Sequence, residues 1–372
     1  MKLGLMLPPF YPSALLEMSI DGGHAAGADS FWIFDHFLGL FHPDLYPEIE
    51  LSELIPDPDG LLDPFCLCAW AARRTELPLG VAVTDSIRRG APDVARTALT
   101  MQHLCEAGFN MGVGCGEAEN LLPFGYPFDH PVARTESFLA TLRRLLDTGR
   151  MGEGIGRLGI PLRSAAGQPR IWVAAHRPHM LRLTGRYADG WLPVEAGSPE
   201  EYRARKTAVA EHAAAAGRPE PESGLVVFFV LGESRERVRR MFDAKPLAKL
   251  LVQFMAPAAA WAKYGLPGLI DNGSRGFVDN IPHAFDPDTL RQLAPGIPFE
   301  LLEEYLFVGN SAEVAERLGR YADAGLEQVV LLNFTGLVGG LDEAMARAAD
   351  VADLGRLVKG LGAPVRVRSA AF

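Results

Sequence analysis

Short, nearly continuous apolar runs recur at residues 3–7, 30–34, 77–83, 109–113, 171–175, 190–194, 225–231 and 328–332. A strand with one wet face alternates apolar and polar side chains, whereas a parallel strand covered on both faces reads as one apolar block. The eight runs are therefore predicted as buried parallel strands. Between most of them the spacing becomes helical. In residues 92–106, Val94, Ala98, Met101 and Cys105 stand at i, i+4, i+7 and i+11, with Pro92 tolerated in the first turn and Gly108 past the end. Further helices are predicted over 13–26, 134–147, 178–187, 199–216, 311–324 and 341–357. Eight strands alternating with helices predict an α/β fold, a (β/α)8 TIM barrel rather than a doubly wound sheet.

Two stretches break the alternation. Residues 39–63 carry Pro43, Pro47, Pro56 and Pro58 among acids and aromatics, with Pro64 just beyond. A loop this long in a compact domain is usually a lid or binding loop. Residues 245–298, before the last strand, carry Trp261, Tyr264 and Phe277 between Gly and Pro, and are predicted as an insertion with some helix of its own. The domain expectation is one barrel over 1–362, with a C-terminal tail at 363–372.

Composition narrows the class. The chain is 48% hydrophobic and 22% charged, which excludes disorder and coiled coil. Gly and Pro supply 67 of its 372 residues, a surplus that must punctuate a folded, turn-rich protein. A net charge of −10 lacks the clustered cations that a nucleic acid or an anionic membrane demands. Cys66, Cys68, Cys105 and Cys115 form no C-x-x-C pair, so neither disulfides nor a zinc site is expected. His176 and His179 lack a carboxylate or cysteine at ligand spacing, so no metal is expected there either. Without a signal segment or a run of about 18 apolar residues, a soluble cytoplasmic protein is expected.

In a barrel the reacting groups sit just after the strands. After the second run comes Asp35-His36-Phe37, where His36 is a candidate acid or base, or simply an exposed residue. After the third come Thr84, Asp85, Arg88 and Arg89, a place for an anionic tail or ordinary surface charge. After the fourth comes Gly112-Val113-Gly114-Cys115-Gly116-Glu117-Ala118-Glu119-Asn120. This fails the G-x-G-x-x-G fingerprint, because Glu117 stands where the last glycine belongs. Clustered glycines let a flat ligand approach the backbone, with Glu117 beside it; a tight turn into a helix is the plainer alternative. After the fifth, Ala174-Ala175-His176-Arg177-Pro178 opens a helix whose free N–H groups, with Arg177 and Arg182 near, suit phosphate.

These segments, together with residues 28–36, 185–193 and the closing run 307–313 with Glu316 and Arg317, resemble the bacterial-luciferase-like superfamily of flavin and deazaflavin barrels. Within it the chain is most similar to the branch using reduced coenzyme F420, and to its phthiodiolone ketoreductase group through residues 171–189. The resemblance implies His36 and Glu117 as catalytic residues. It implies cofactor contacts at Asp35, at a bulge with a non-proline cis bond at Ala82 and Val83, at Thr84, Asp85, Cys115, Gly116 and Asn120, and phosphate at Ala174, Ala175, His176 and Arg177. It also implies a homodimer. Sugar-phosphate relatives carry Trp where Leu40 stands, so that substrate is not expected.

The expected reaction is hydride transfer from reduced coenzyme F420 to a ketone or another polarised double bond (C=O, C=C or C=N) of a hydrophobic natural-product intermediate. His36, whose ordinary pKa of about 6.5 needs little tuning, is the first choice of proton donor and Glu117 the second. Phe41, Leu45, Tyr46, Trp261 and Tyr264 suggest the hydrophobic substrate, or else packing. The alternative enzyme is a monooxygenase using reduced FMN and oxygen. A non-catalytic deazaflavin-binding barrel is the third reading.

Overall fold

In a computed structural model describing residues 1–194, 197–266 and 273–362, the strands are β1 (Lys2–Met6), β2 (Ser30–Ile33), β3 (Leu79–Asp85), β4 (Phe109–Gly114), β5 (Arg170–Val173), β6 (Gly190–Trp191), β7 (Glu222–Leu231), β8 (Leu306–Gly309) and β9 (Gln328–Asn333). All their pairings are parallel. The order β6-β5-β4-β3-β2-β1-β9-β7 closes through a β6–β7 pairing into an eight-stranded barrel. These are the eight predicted strands. The ninth, β8, is an addition: Phe228 pairs with both Leu306 and Leu332, so β8 takes the edge of β7 opposite β9, beyond the two residues that β6 covers. Four residues directly continuing a helix, Phe299–Tyr305, leave no separate apolar block to notice.

Two tryptophans fill the barrel. Trp32 and Trp172 meet edge to face with centroids 5.5 Å apart. Their indole N–H groups donate to Ser30 Oγ and Asn110 Oδ1, both at 2.9 Å, as buried polar atoms require. The glycines beside them are small of necessity: a Cβ on Gly190 would stand 2.2 Å from the Trp172 ring, and one on Gly80 2.7 Å from that of Trp32.

Most predicted helices stand, as Ala14–Ala25, Ala91–Leu104, Pro131–Thr148, Pro178–Tyr187, Pro199–Ala215 and Ser311–Asp323. The last one predicted breaks at Arg347 into Leu341–Ala346 and Ala348–Gly360. An additional helix, Pro64–Ala71, is capped by Asp63, whose carboxylate accepts from the N–H groups of Phe65 and Cys66. The tail 363–372 lies outside the described residues.

The lid-like loop and the insertion share a second apolar core, in which Phe41, Leu45, Tyr46 and Ile49 pack with Phe242, Phe254, Trp261 and Leu302. Side chains of this size each stabilise by about 1.5–3 kcal/mol when fully buried. Polar ties run between the same two segments: His283 Nε2 to the Asp59 carboxylate at 2.8 Å, and Arg291 to Glu48 at 2.6 Å. Among the described residues no helix is long and apolar enough to cross a membrane.

Candidate active site

The strands open at their C-terminal ends on an apolar floor of partly buried Phe34, Val83, Val194, Phe228 and Leu332, laid over the tryptophan-filled interior. Val83 belongs to a bulge: the β3–β4 register shifts between Val81 and Thr84, and the Ala82–Val83 peptide is cis, as the family resemblance implied. The bulge also accounts for the glycines of β4. A Cβ on Gly112 would stand 2.1 Å from the Val81 carbonyl oxygen, and one on Gly114 3.1 Å from a Val83 methyl. Those two glycines therefore make room for the neighbouring strand, a correction to the expectation that they admit a ligand directly. Gly116, at φ 92°, turns the chain toward Glu117 in a conformation suited to glycine.

Beneath the site lies a buried ion-pair network. Asp35 Oδ2 accepts from Thr84 Oγ1 at 2.6 Å and stands 3.3 Å from both Arg88 Nη2 and Arg89 Nε. Asp85 pairs with Arg88 and caps the turn by accepting from the N–H of Ile87 at 2.8 Å. Arg89 reaches on to Asp63 at 2.8 Å. Both arginines are thus neutralised by carboxylates of the protein, so the predicted place for an anionic tail is a structural joint. Spacing could not show this, because Asp35 and Arg88 are brought together by β2 and β3 running side by side.

That joint holds His36. Its Nδ1 stands 2.6 Å from Glu119 Oε1 and its Nε2 3.5 Å from Glu117 Oε2. Asn120 braces the group: its amide nitrogen lies 3.4 Å from a carboxylate oxygen of each glutamate, and its oxygen accepts from the Phe37 N–H at 2.7 Å. Glu119 was not singled out in the sequence; on a helix of only four residues, Ala118–Leu121, no periodicity marks its face. Ligands about 2.1 Å from one ion stand about 3 Å or more apart, so the 2.6 Å contact is that of a shared proton rather than a shared cation.

Burial sets the protonation states. It lowers the pKa of His36, against the opposing charge of Glu117. It pushes Glu117 up to about 7, partly offset by His36, and drives Glu119 well above the carboxylate range. The expectation that His36 needs little tuning is corrected accordingly: burial shifts its ring toward the neutral form, between one carboxyl pushed up to about 7 and one driven further toward its protonated form.

The other expected site residues divide by exposure. His36, Val83, Cys115, Glu117, Ala174 and His176 are partly open to solvent and Arg177 is exposed; these keep accessible surface. Asp35, Ala82, Thr84, Asp85, Gly116, Asn120 and Ala175 are buried by protein, with Thr84 at 0% and Ala175 at 1% exposure, and shape the site from behind. The helix Pro178–Tyr187 has no side chain capping its first turn, which leaves its N-terminus to an anion. Arg182 does not assist there, since it pairs with Glu136 at 3.0 Å.

Of the two readings of the large apolar side chains in the loop and the insertion, packing holds. Phe41, Leu45, Tyr46 and Trp261 are at most 4% exposed, packed into the second core, while the Tyr264 hydroxyl binds Glu304. The apolar wall beside His36 is made instead by Phe34, 5.4 Å away between ring centroids, and by Phe254 at 6.4 Å. Phe277 stacks edge-on to Phe254 and lies 6.0 Å from Phe228.

Residues 22–328 match the family model described as luciferase-like monooxygenase. The chain is 33% identical over 370 residues, 95% of its length and 100% of the relative's, to the phthiodiolone/phenolphthiodiolone dimycocerosates ketoreductase of Mycobacterium kansasii. Among solved structures it resembles the coenzyme F420 dependent tetrahydromethanopterin reductase of Methanopyrus kandleri, with TM-score 0.70 and 18% identity over 96% of this chain and 98% of that one. It also resembles an F420-dependent secondary alcohol dehydrogenase in complex with an F420-acetone adduct, with TM-score 0.68 and 17% identity over the same shares.

Proposed function

Since the chain belongs to the luciferase-like monooxygenase family, we propose that it is a reductase dependent on reduced coenzyme F420, acting on a ketone or other polarised double bond of a hydrophobic natural-product or lipid intermediate. One observation carries this reading: a largely buried His36 stands between Glu119 and Glu117, two glutamates whose proton affinity burial raises, at the rim of an apolar floor. Such a site holds a proton ready while offering a flat, water-poor surface for the ring of a redox cofactor. The ketoreductase and alcohol dehydrogenase relatives support the carbonyl as acceptor.

The residues present fit the cofactor. Val83 and the turn Cys115–Gly116 would hold the ring, and the uncapped helix start at Ala174 to Arg177 its phosphate. When bound, reduced F420 supplies a hydride. The protein's task is to orient the acceptor and manage one proton. His36 Nε2 faces the rim and donates to the oxygen on which charge develops. Glu117, 29% exposed at its side chain, exchanges protons with water near neutral pH. Phe34, Phe228 and Phe277 line the apolar approach, and Cys115, its thiol pushed up by burial, takes no part as a thiolate. This reading places the enzyme in the cytoplasm as a homodimer acting on a small molecule, without a nucleic-acid partner.

Anaerobic incubation with reduced F420 and a panel of aliphatic and aryl ketones tests it. Oxidation of the cofactor without oxygen is expected. Strict dependence on reduced FMN and oxygen would instead establish the monooxygenase alternative, which the family description keeps in view.

A further inference from the structure

We propose that Glu119 is a positioning residue that stores a proton on the hidden side of His36 and lends it during each turnover. This rests on the reading of His36 as the donor. The geometry is specific. Glu119 is completely buried, its Oε1 is 2.6 Å from His36 Nδ1, and its Oε2 has no hydrogen-bond partner among the described residues. A buried carboxylate with one oxygen unpartnered is far more costly than a neutral acid, whose O–H is satisfied and whose carbonyl oxygen is a weak acceptor. The proton therefore resides on the Oε1 side, donated to Nδ1, which fixes His36 as the Nε2–H tautomer pointing toward Glu117 and the rim.

The polar and charged neighbours of Glu119 come from several elements. Asn120 braces Oε1 from the same short helix. Arg88 from the loop after β3 and His283 from the insertion favour the anion, whereas Asp59 from the loop over residues 39–63 and Glu117 oppose it; burial, the largest effect, acts with the latter two and outweighs Arg88 and His283.

The cycle balances. Hydride supplied by reduced F420 would form a C–H bond at the carbonyl carbon as the C=O π bond breaks, leaving charge on the oxygen, which takes the Nε2 proton of His36 while Nδ1 takes the proton of Glu119. The ring remains neutral throughout, and the negative charge ends on Glu119. Once product has left, Glu117 in its acid form returns a proton to Nε2, the Nδ1 proton goes back to Glu119, and water refills Glu117. One solvent proton enters through Glu117, matched by the N–H proton that reduced F420 would release on oxidation, and His36 and Glu119 finish as they began.

Two measurements test the proposal. Nitrogen-15 NMR of the full chain without cofactor, with His36 assigned through His36→Gln, is expected to show a neutral Nε2–H ring at about pH 7; an imidazolium or the Nδ1–H tautomer overturns it. The Glu119→Gln variant keeps shape and can still donate to Nδ1, but it has no proton to lend. Its kcat is expected to fall about 10- to 100-fold with the KM for cofactor unchanged within about twofold, and a wild-type kcat overturns the proposal. If the wild-type protein turns over with no F420-dependent substrate, the functional reading falls while the NMR result still decides the state of Glu119.

Discussion

At the level of single residues, the site is organised by burial rather than by unusual side chains. His36, Glu117 and Glu119 are ordinary groups whose proton affinities burial moves in the directions that acid–base work at neutral pH requires. Replacing His36 by Ala, or Glu117 by Gln, is expected to lower turnover by about 100-fold or more while leaving F420 affinity within about threefold, by steady-state kinetics and fluorescence titration. Glu117 also carries a stability consequence. Its pKa in the folded chain is raised from 4.5 to about 7, so its contribution is fully present below pH 4.5 and is lost as pH rises through 7. The Glu117→Gln variant should therefore match the wild type at pH 4 and melt higher at pH 8. With 29% of the side chain reached by solvent, a gain of about 1–2 kcal/mol is expected rather than the full value of the shift. Equal melting temperatures at pH 8 would contradict the burial argument.

Among elements, the β3 bulge and its glycines decide where the floor of the site lies. Gly112→Ala would drive a methyl group into the Val81 carbonyl, backbone that cannot yield as a side chain can. A loss of about 1–3 kcal/mol is expected in urea unfolding, with weakened cofactor binding because Val83 must move. The glycines were visible in the sequence, but their partner was not: the pattern within one strand says nothing of the strand beside it. The same limit hid the joint between Asp35 and Arg88. Residues 39–63 were legible as a proline-rich loop, yet their aromatics proved to be core, since apolar composition alone cannot tell a packed face from a substrate face. Asp59→Ala removes the tie to His283 and to the Gly39 N–H. Faster proteolysis within 39–63 is expected, with the barrel's melting temperature nearly unchanged.

For the whole molecule, the closed parallel barrel was legible because each strand is covered on both faces and therefore reads as a solid apolar block. What could not be read was the extra strand β8, which continues a helix, and Glu119, whose importance exists only through His36, more than eighty positions away in the chain. The 2.6 Å spacing of those two groups also leads to the expectation that dialysis against a chelator leaves F420-dependent activity intact; loss restored by a divalent cation would show that the cluster binds metal. The central claim, that this barrel holds a deazaflavin for hydride transfer, is met most directly by titrating the purified protein side by side with F420 and FMN and following cofactor fluorescence. Saturable binding of F420 at concentrations where FMN binds weakly is the expected result. Tight FMN binding with no response to F420 would contradict it.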